Sequence, residues 1–119
     1  MKTILVVDDS ISIRQVVGMT LRANGYDVME ACDGKDAISK LNGQKIHLII
    51  SDVNMPNMDG LSFVKAAKAK AEYRFTPVLM LTTESGEDKK AEGKAIGVKA
   101  WLVKPFKPEL LLSAVTKLA

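Results

Sequence analysis

Four short apolar runs in this chain each end on a polar residue. Ile4-Leu5-Val6-Val7 stops at Asp8-Asp9, Leu48-Ile49-Ile50-Ser51 at Asp52, Val78-Leu79-Met80-Leu81 at Thr82, and Trp101-Leu102-Val103 at Lys104. Apolar runs of this length, without polar alternation, suit strands buried on both faces. Helical patterns separate them. The first strand is read at about Thr3–Val7 and the first helix at Ile11–Ala23, with Ile13, Val17, Thr20 and Leu21 on one face. Ser10 suits its N-cap, and Asn24-Gly25 is a stop signal. A second strand follows at Tyr26–Ala31. Asp33-Gly34 then turns the chain into a short helix with Ala37, Ile38 and Leu41 inward, and a third strand runs over His47–Ser51. Pro56, Asp59 and Gly60 are turn formers. The third helix spans about Leu61–Ala71, with Leu61, Val64, Ala67 and Lys68 in register, and Pro77 starts a strand ending near Thr82. The fourth helix, about Glu87–Ile96, is the weakest element, because an interior glycine such as Gly93 costs about 1 kcal/mol relative to alanine. The last strand covers Ala100–Val103. Pro108 suits the first turn of the final helix, which is expected to bury Leu111, Val115 and Leu118.

Strict alternation of strands and helices predicts an α/β fold, a doubly wound five-stranded parallel sheet with right-handed crossovers and helices on both faces. The flavodoxin-like order 2-1-3-4-5 fits five strands and sets the first and third side by side. Ligands of such sheets bind beyond the carboxyl ends of the strands. Asp8, Asp9, Asp52, Thr82 and Lys104 are therefore expected to meet at one edge. Three carboxylates in one cleft raise each other's pKa unless compensated. Lys104 offsets one charge, and a divalent cation would balance the other two. Oxygen ligands select Mg²⁺ over zinc, and Mg²⁺ commonly keeps a phosphate oxygen among its ligands. Asp52 is the best nucleophile, since a carboxylate can take a phosphoryl group as an acyl phosphate. The metal would bridge Asp52 and the phosphoryl oxygens, held by Asp9 directly and by Asp8 directly or through water, while Lys104 and Thr82 would contact phosphoryl oxygens.

Bulk properties narrow the class further. At 119 residues, the chain reads as one domain, 1–119, with 47% hydrophobic and 26% charged residues, ordinary values for a globular protein. No apolar run reaches membrane-spanning length and the N-terminus enters a strand directly, so neither membrane insertion nor a signal peptide is expected. The single Cys32 cannot form an internal disulfide, which fits the cytoplasm, and it is read as a buried structural thiol. His47, the only histidine, is read as a polar residue entering the third strand. The net charge is +3 although the site is acidic. Lys65, Lys68, Lys70, Lys89, Lys90, Lys94 and Lys99 are read chiefly as solvated helix faces. A basic surface toward an acidic partner or nucleic acid is the alternative, and nucleic acid is disfavoured because no aromatics interleave.

These residues resemble the response-regulator receiver domain, and the whole chain resembles its single-domain CheY-like type. The matching stretches are Leu5-Val6-Val7-Asp8-Asp9, Ser51 through Gly60, Leu81-Thr82-Thr83-Glu84 and Val103-Lys104-Pro105-Phe106. The resemblance implies Asp52 as phosphoacceptor, Asp8 and Asp9 as the acidic pair, and the Asn54 backbone carbonyl completing a Mg²⁺ site. It implies Thr82 and Lys104 as phosphoryl contacts and a cis Lys104-Pro105 bond. A histidine kinase would supply the phosphoryl group. The domain would catalyse only its own phosphorylation and dephosphorylation. Thr82 and Trp101 would form the switch, with the fourth helix as mover, and Asn54 and Glu84 would tune hydrolysis. Thr83 and Trp101 depart from the family's usual small residue and usual Tyr or Phe.

Because the chain ends within its fifth helix, output is expected from a partner on the surface of helix four, strand five and helix five. The expected partner is a flagellar motor switch component in chemotaxis-type signalling. The alternative is a histidine phosphotransfer protein, with this chain as a phosphate shuttle. The lysines of helix four give no apolar patch of the motor-binding kind. A monomer is expected. A haloacid-dehalogenase-like phosphatase would place a second Asp two residues after the nucleophile, where this chain has Asn54.

Overall fold

The computed structural model describes the backbone of residues 1–83 and 87–119, with side chains described throughout these except at 87–89. Five strands, β1 (Thr3–Val7), β2 (Asp27–Ala31), β3 (Leu48–Asp52), β4 (Val78–Thr82) and β5 (Ala100–Val103), alternate with α1 (Ile11–Ala23), α2 (Gly34–Lys40), α3 (Gly60–Ala69), α4 (Glu87–Ala95) and α5 (Pro108–Leu118). A 3-10 turn, Ala71–Tyr73, follows α3. The sheet is parallel throughout and ordered β2-β1-β3-β4-β5. Expected and observed elements agree within about two residues, the usual uncertainty at element ends.

Side chains on a strand point alternately to its two faces, and two cores result. Leu5, Val7, Ile49 and Met80 pack with Phe63, Val64 and Ala67 of α3 and Ala37 of α2. Ile4, Val6, Ile50, Leu79 and Leu81 pack with Val17 and Leu21 of α1 and Leu111 and Val115 of α5, and Leu118 lies at the margin of this cluster. β1, β3 and β4 carry apolar residues to both cores, which is why they read as unbroken apolar runs.

Local signals explain the helix starts. Ser10 Oγ accepts from Ile13 N–H (3.4 Å), and Gly25 takes φ +87° just past the end of α1, a conformation glycine adopts without steric cost. Asp33 and Asp59 are more than turn formers. Each is an N-cap, accepting from Asp36 N–H at 2.8 Å and Ser62 N–H at 2.7 Å respectively.

One expectation is overturned. Cys32 is exposed, not buried. Buried Ala31 ends β2, and the next residue turns outward ahead of the Asp33 cap; its backbone N–H donates to Asp36 Oδ2 (3.0 Å). His47 precedes β3 and bridges it to β1, with Nδ1 accepting from Thr3 N–H (3.0 Å) and its own N–H donating to Thr3 O (2.8 Å).

Candidate functional site

The carboxyl ends of β1, β3, β4 and β5 bring the expected residues to one edge. β1 lies beside β3, with Val7 opposite Ser51, so Asp8 and Asp52 extend from adjacent strands. Asp52 pairs with Leu81, and Thr82 with Val103, which places Thr82 and Lys104 on the other flank. Asp8, Asp52 and Thr82 are buried, while Asp9 is exposed at the rim. One oxygen from each of Asp8, Asp9 and Asp52 lies within 4.8 Å of the other two.

Lys104 ties the acids together. Its Nζ donates to Asp8 Oδ2 at 2.8 Å and stands 3.4 Å from Asp52 Oδ2. Its backbone N–H donates to Thr82 O (2.7 Å), and the Lys104-Pro105 bond is cis. Asp8 is further fixed by Ser10 N–H, which donates to Oδ1 at 2.9 Å. Asp52 also accepts from the Val53 backbone N–H and from Lys104, but these do not outweigh its surroundings. Burial, and next the charge of Asp8, hold its carboxyl above the ordinary range, with Lys104 working against both. The pocket thus carries more negative charge than Lys104 cancels. Its donors are hard oxygens converging from loops, the donor set a Mg²⁺-sized cation prefers.

Three supporting residues were missed by sequence reasoning. Arg14 Nη1 donates to the Asp8 carbonyl (2.6 Å), and its Nε pairs with Glu30 at 3.4 Å. Ser51 Oγ donates to the Asp52 carbonyl (2.9 Å). Gly60 is more than a turn former: a Cβ there would fall 2.0 Å from Asp52 O. A lone Arg or Ser beside an apolar pattern carries no sequence signal for such contacts. Gly60 did carry one, since a glycine at a helix start can mark close backbone approach.

Trp101 of β5 is partly buried against the α3-side core, and its ring lies on α4 at Gly93, where a Cβ would stand 2.4 Å from Cζ2. The bare backbone at 93 is what accommodates the larger aromatic. Thr83 and Asn54 are exposed at the rim of the site. Glu84 lies outside the described residues.

The response regulator receiver domain family matches residues 4–116. The chain belongs to this family. It is 39% identical over 110 residues to chemotaxis protein CheY1 of Helicobacter pylori, covering 91% of this chain and 89% of that protein. It is 37% identical over 112 residues to protein PilG of Pseudomonas aeruginosa, covering 94% and 83% respectively. The solved structure of chemotaxis protein CheY4 of Vibrio cholerae superposes with a TM-score of 0.96 at 53% identity, covering 100% of this chain and 99% of that one. This receiver is therefore a phosphorylation-activated response regulator of the chemotaxis type, a signalling protein with a histidine kinase as its partner. No helix among the described residues is long and apolar enough to cross a membrane.

Proposed function

We propose that Asp52 is the phosphoacceptor and that Asp8, Asp9, Thr82 and Lys104 are the machinery around it. One observation carries the reading: one oxygen from each of three carboxylates lies within 4.8 Å of the other two, and the Lys104 ammonium meets two of those acids, Asp8 and Asp52. An Asp52 carboxylate oxygen attacks the donor's phosphorus. A P–O bond forms, and the donor's bond to phosphorus breaks with its electron pair leaving on the donor. Burial, and next the charge of Asp8, raise the pKa of Asp52, and a more basic carboxylate is the stronger nucleophile once ionised. Lys104 is placed to neutralise a phosphoryl oxygen, having Asp8 as its fixed anchor. Thr82, at the end of β4, supplies a hydroxyl on the same edge. Asp8 and Asp9, with the Asn54 backbone carbonyl, would hold Mg²⁺ beside Asp52. Bound there, the ion supplies the positive charge that lets two anions approach. Hydrolysis of the acyl phosphate by the same site would reset it, with Asn54 and Glu84 tuning the rate.

The response is proposed to run through Thr82 and Trp101 to α4, reaching a cytoplasmic partner protein at the surface of α4, β5 and α5. Leu110 and Val103 are exposed there, and a groove of about 310 Å³ lies between β5 and α5. Intact-mass measurement after incubation with acetyl phosphate and Mg²⁺ tests the central claim. The chain gains the mass of one phosphoryl group, and Asp52→Asn gains none; stoichiometric labelling of that variant removes Asp52 from its role.

A further inference from the structure

The opposite end of the sheet carries a second feature. Phe75, in the turn between the 3-10 segment and β4, is 91% exposed. It forms a ridge between two grooves of about 350 and 310 Å³. The larger is lined by Lys68, Arg74 and Lys99, with Ile96 and Gly97 from the turn just after α4. Lys68 is half-buried and its Nζ donates to Thr76 O. Burial, and next the charge of Lys99, hold it below the ordinary lysine range. Among the described residues none of the three cations has a carboxylate partner, whereas Lys65 on the same helix as Lys68 pairs with Glu92 at 3.8 Å. Three cations around one concavity, none with a carboxylate partner among the described residues, leave the groove positively charged. The smaller groove holds Lys45 and Glu72 and is electrically mixed.

We propose that this groove binds an acidic peptide segment of a partner protein, its carboxylates entering between Lys68, Arg74 and Lys99 and an apolar side chain resting on Phe75. Concavity on both sides of a single aromatic ridge suits side chains of an extended peptide. A membrane-binding face calls for several apolar residues together, and single-stranded nucleic acid for several stacking aromatics; the described patch offers one exposed aromatic. The groove opens where β4 and β5 begin, since Lys99 N–H donates to Val78 O (3.0 Å). Asp52 lies at the far end of the same sheet, so docking here leaves the acidic pocket open.

The test is fluorescence anisotropy with a labelled peptide alternating Asp or Glu with Leu or Phe. Saturable binding that weakens with salt is expected for the unaltered chain. The double variant Arg74→Glu/Lys99→Glu should weaken it at least about tenfold. Phe75→Ala, at a fully solvated position, should weaken it several-fold without changing the salt slope. The same peptide with Lys in place of its acids should not bind. Binding unchanged in the double variant, absence of binding to the unaltered chain, or tighter capture of phosphatidylglycerol vesicles or a single-stranded oligonucleotide overturns the proposal. Acetyl phosphate labelling of each variant checks folding and reports separately on Asp52.

Discussion

Asp52 and Lys104 show how single residues set the energetics of the pocket. Asp52 is held above the ordinary carboxyl value of 3.8 by burial and by Asp8. The folded state therefore binds its proton more tightly than the unfolded state does. That contribution is fully present below the unfolded pKa and is lost as pH rises through the folded one. Above its folded pKa the ionised carboxylate opposes folding, so in that range Asp52→Asn should raise the urea midpoint in metal-free buffer. The gain should vanish as pH falls below the unfolded pKa; a lower midpoint in the alkaline range would contradict this. Lys104→Ala acts in the other direction. It strips the 2.8 Å counter-ion from a fully buried Asp8, a loss of about 3 kcal/mol for a broken buried pair. Added Mg²⁺ should recover part of it, as denaturation with and without the ion would record. All five of the polar residues read at strand ends meet at this edge, because a parallel sheet forces strand termini together. Cys32 went the other way, since alternation across an edge strand does not reveal where the strand stops.

At the level of elements, sequence reading failed where one segment's role depends on another segment's side chain. Gly93 reads as a flaw in α4, and in isolation it is one. In the fold it clears the space taken by the Trp101 ring. Gly93→Ala gains about 1 kcal/mol of helix propensity and incurs about 1–3 kcal/mol of overpacking. We expect net destabilisation, a shifted Trp101 emission, and relief when Trp101→Phe is added. A double-mutant cycle over the four proteins measures that coupling; additive effects would disprove the contact. Asp33 and Asp59 were read as turn residues for a related reason. An N-cap and a turn use the same side chain, and only the backbone beyond it distinguishes them.

For the molecule as a whole, sheet order followed from the alternation of strands and helices, and the acidic pocket followed from the order. Cation binding to the folded state alone should therefore stabilise the entire chain. At a free Mg²⁺ concentration of 100 times the dissociation constant the gain is about 2.7 kcal/mol. Thermal denaturation should show this rise, and Asp9→Ala, which removes the rim carboxylate, should largely abolish it. The bottom of the sheet was not legible in the same way. Its lysines were read chiefly as solvated faces, and the half-buried Lys68 emerges only when α3, β4 and the turn just after α4 are assembled. The indole seated on bare backbone at 93 also couples two positions that lie on different elements. Any side chain at 93 facing this tryptophan would crowd the fourth helix, so the two positions are expected to vary together. Among sister lineages, glycine with a smaller aromatic partner is an open intermediate, whereas tryptophan facing a bulky residue should be rare.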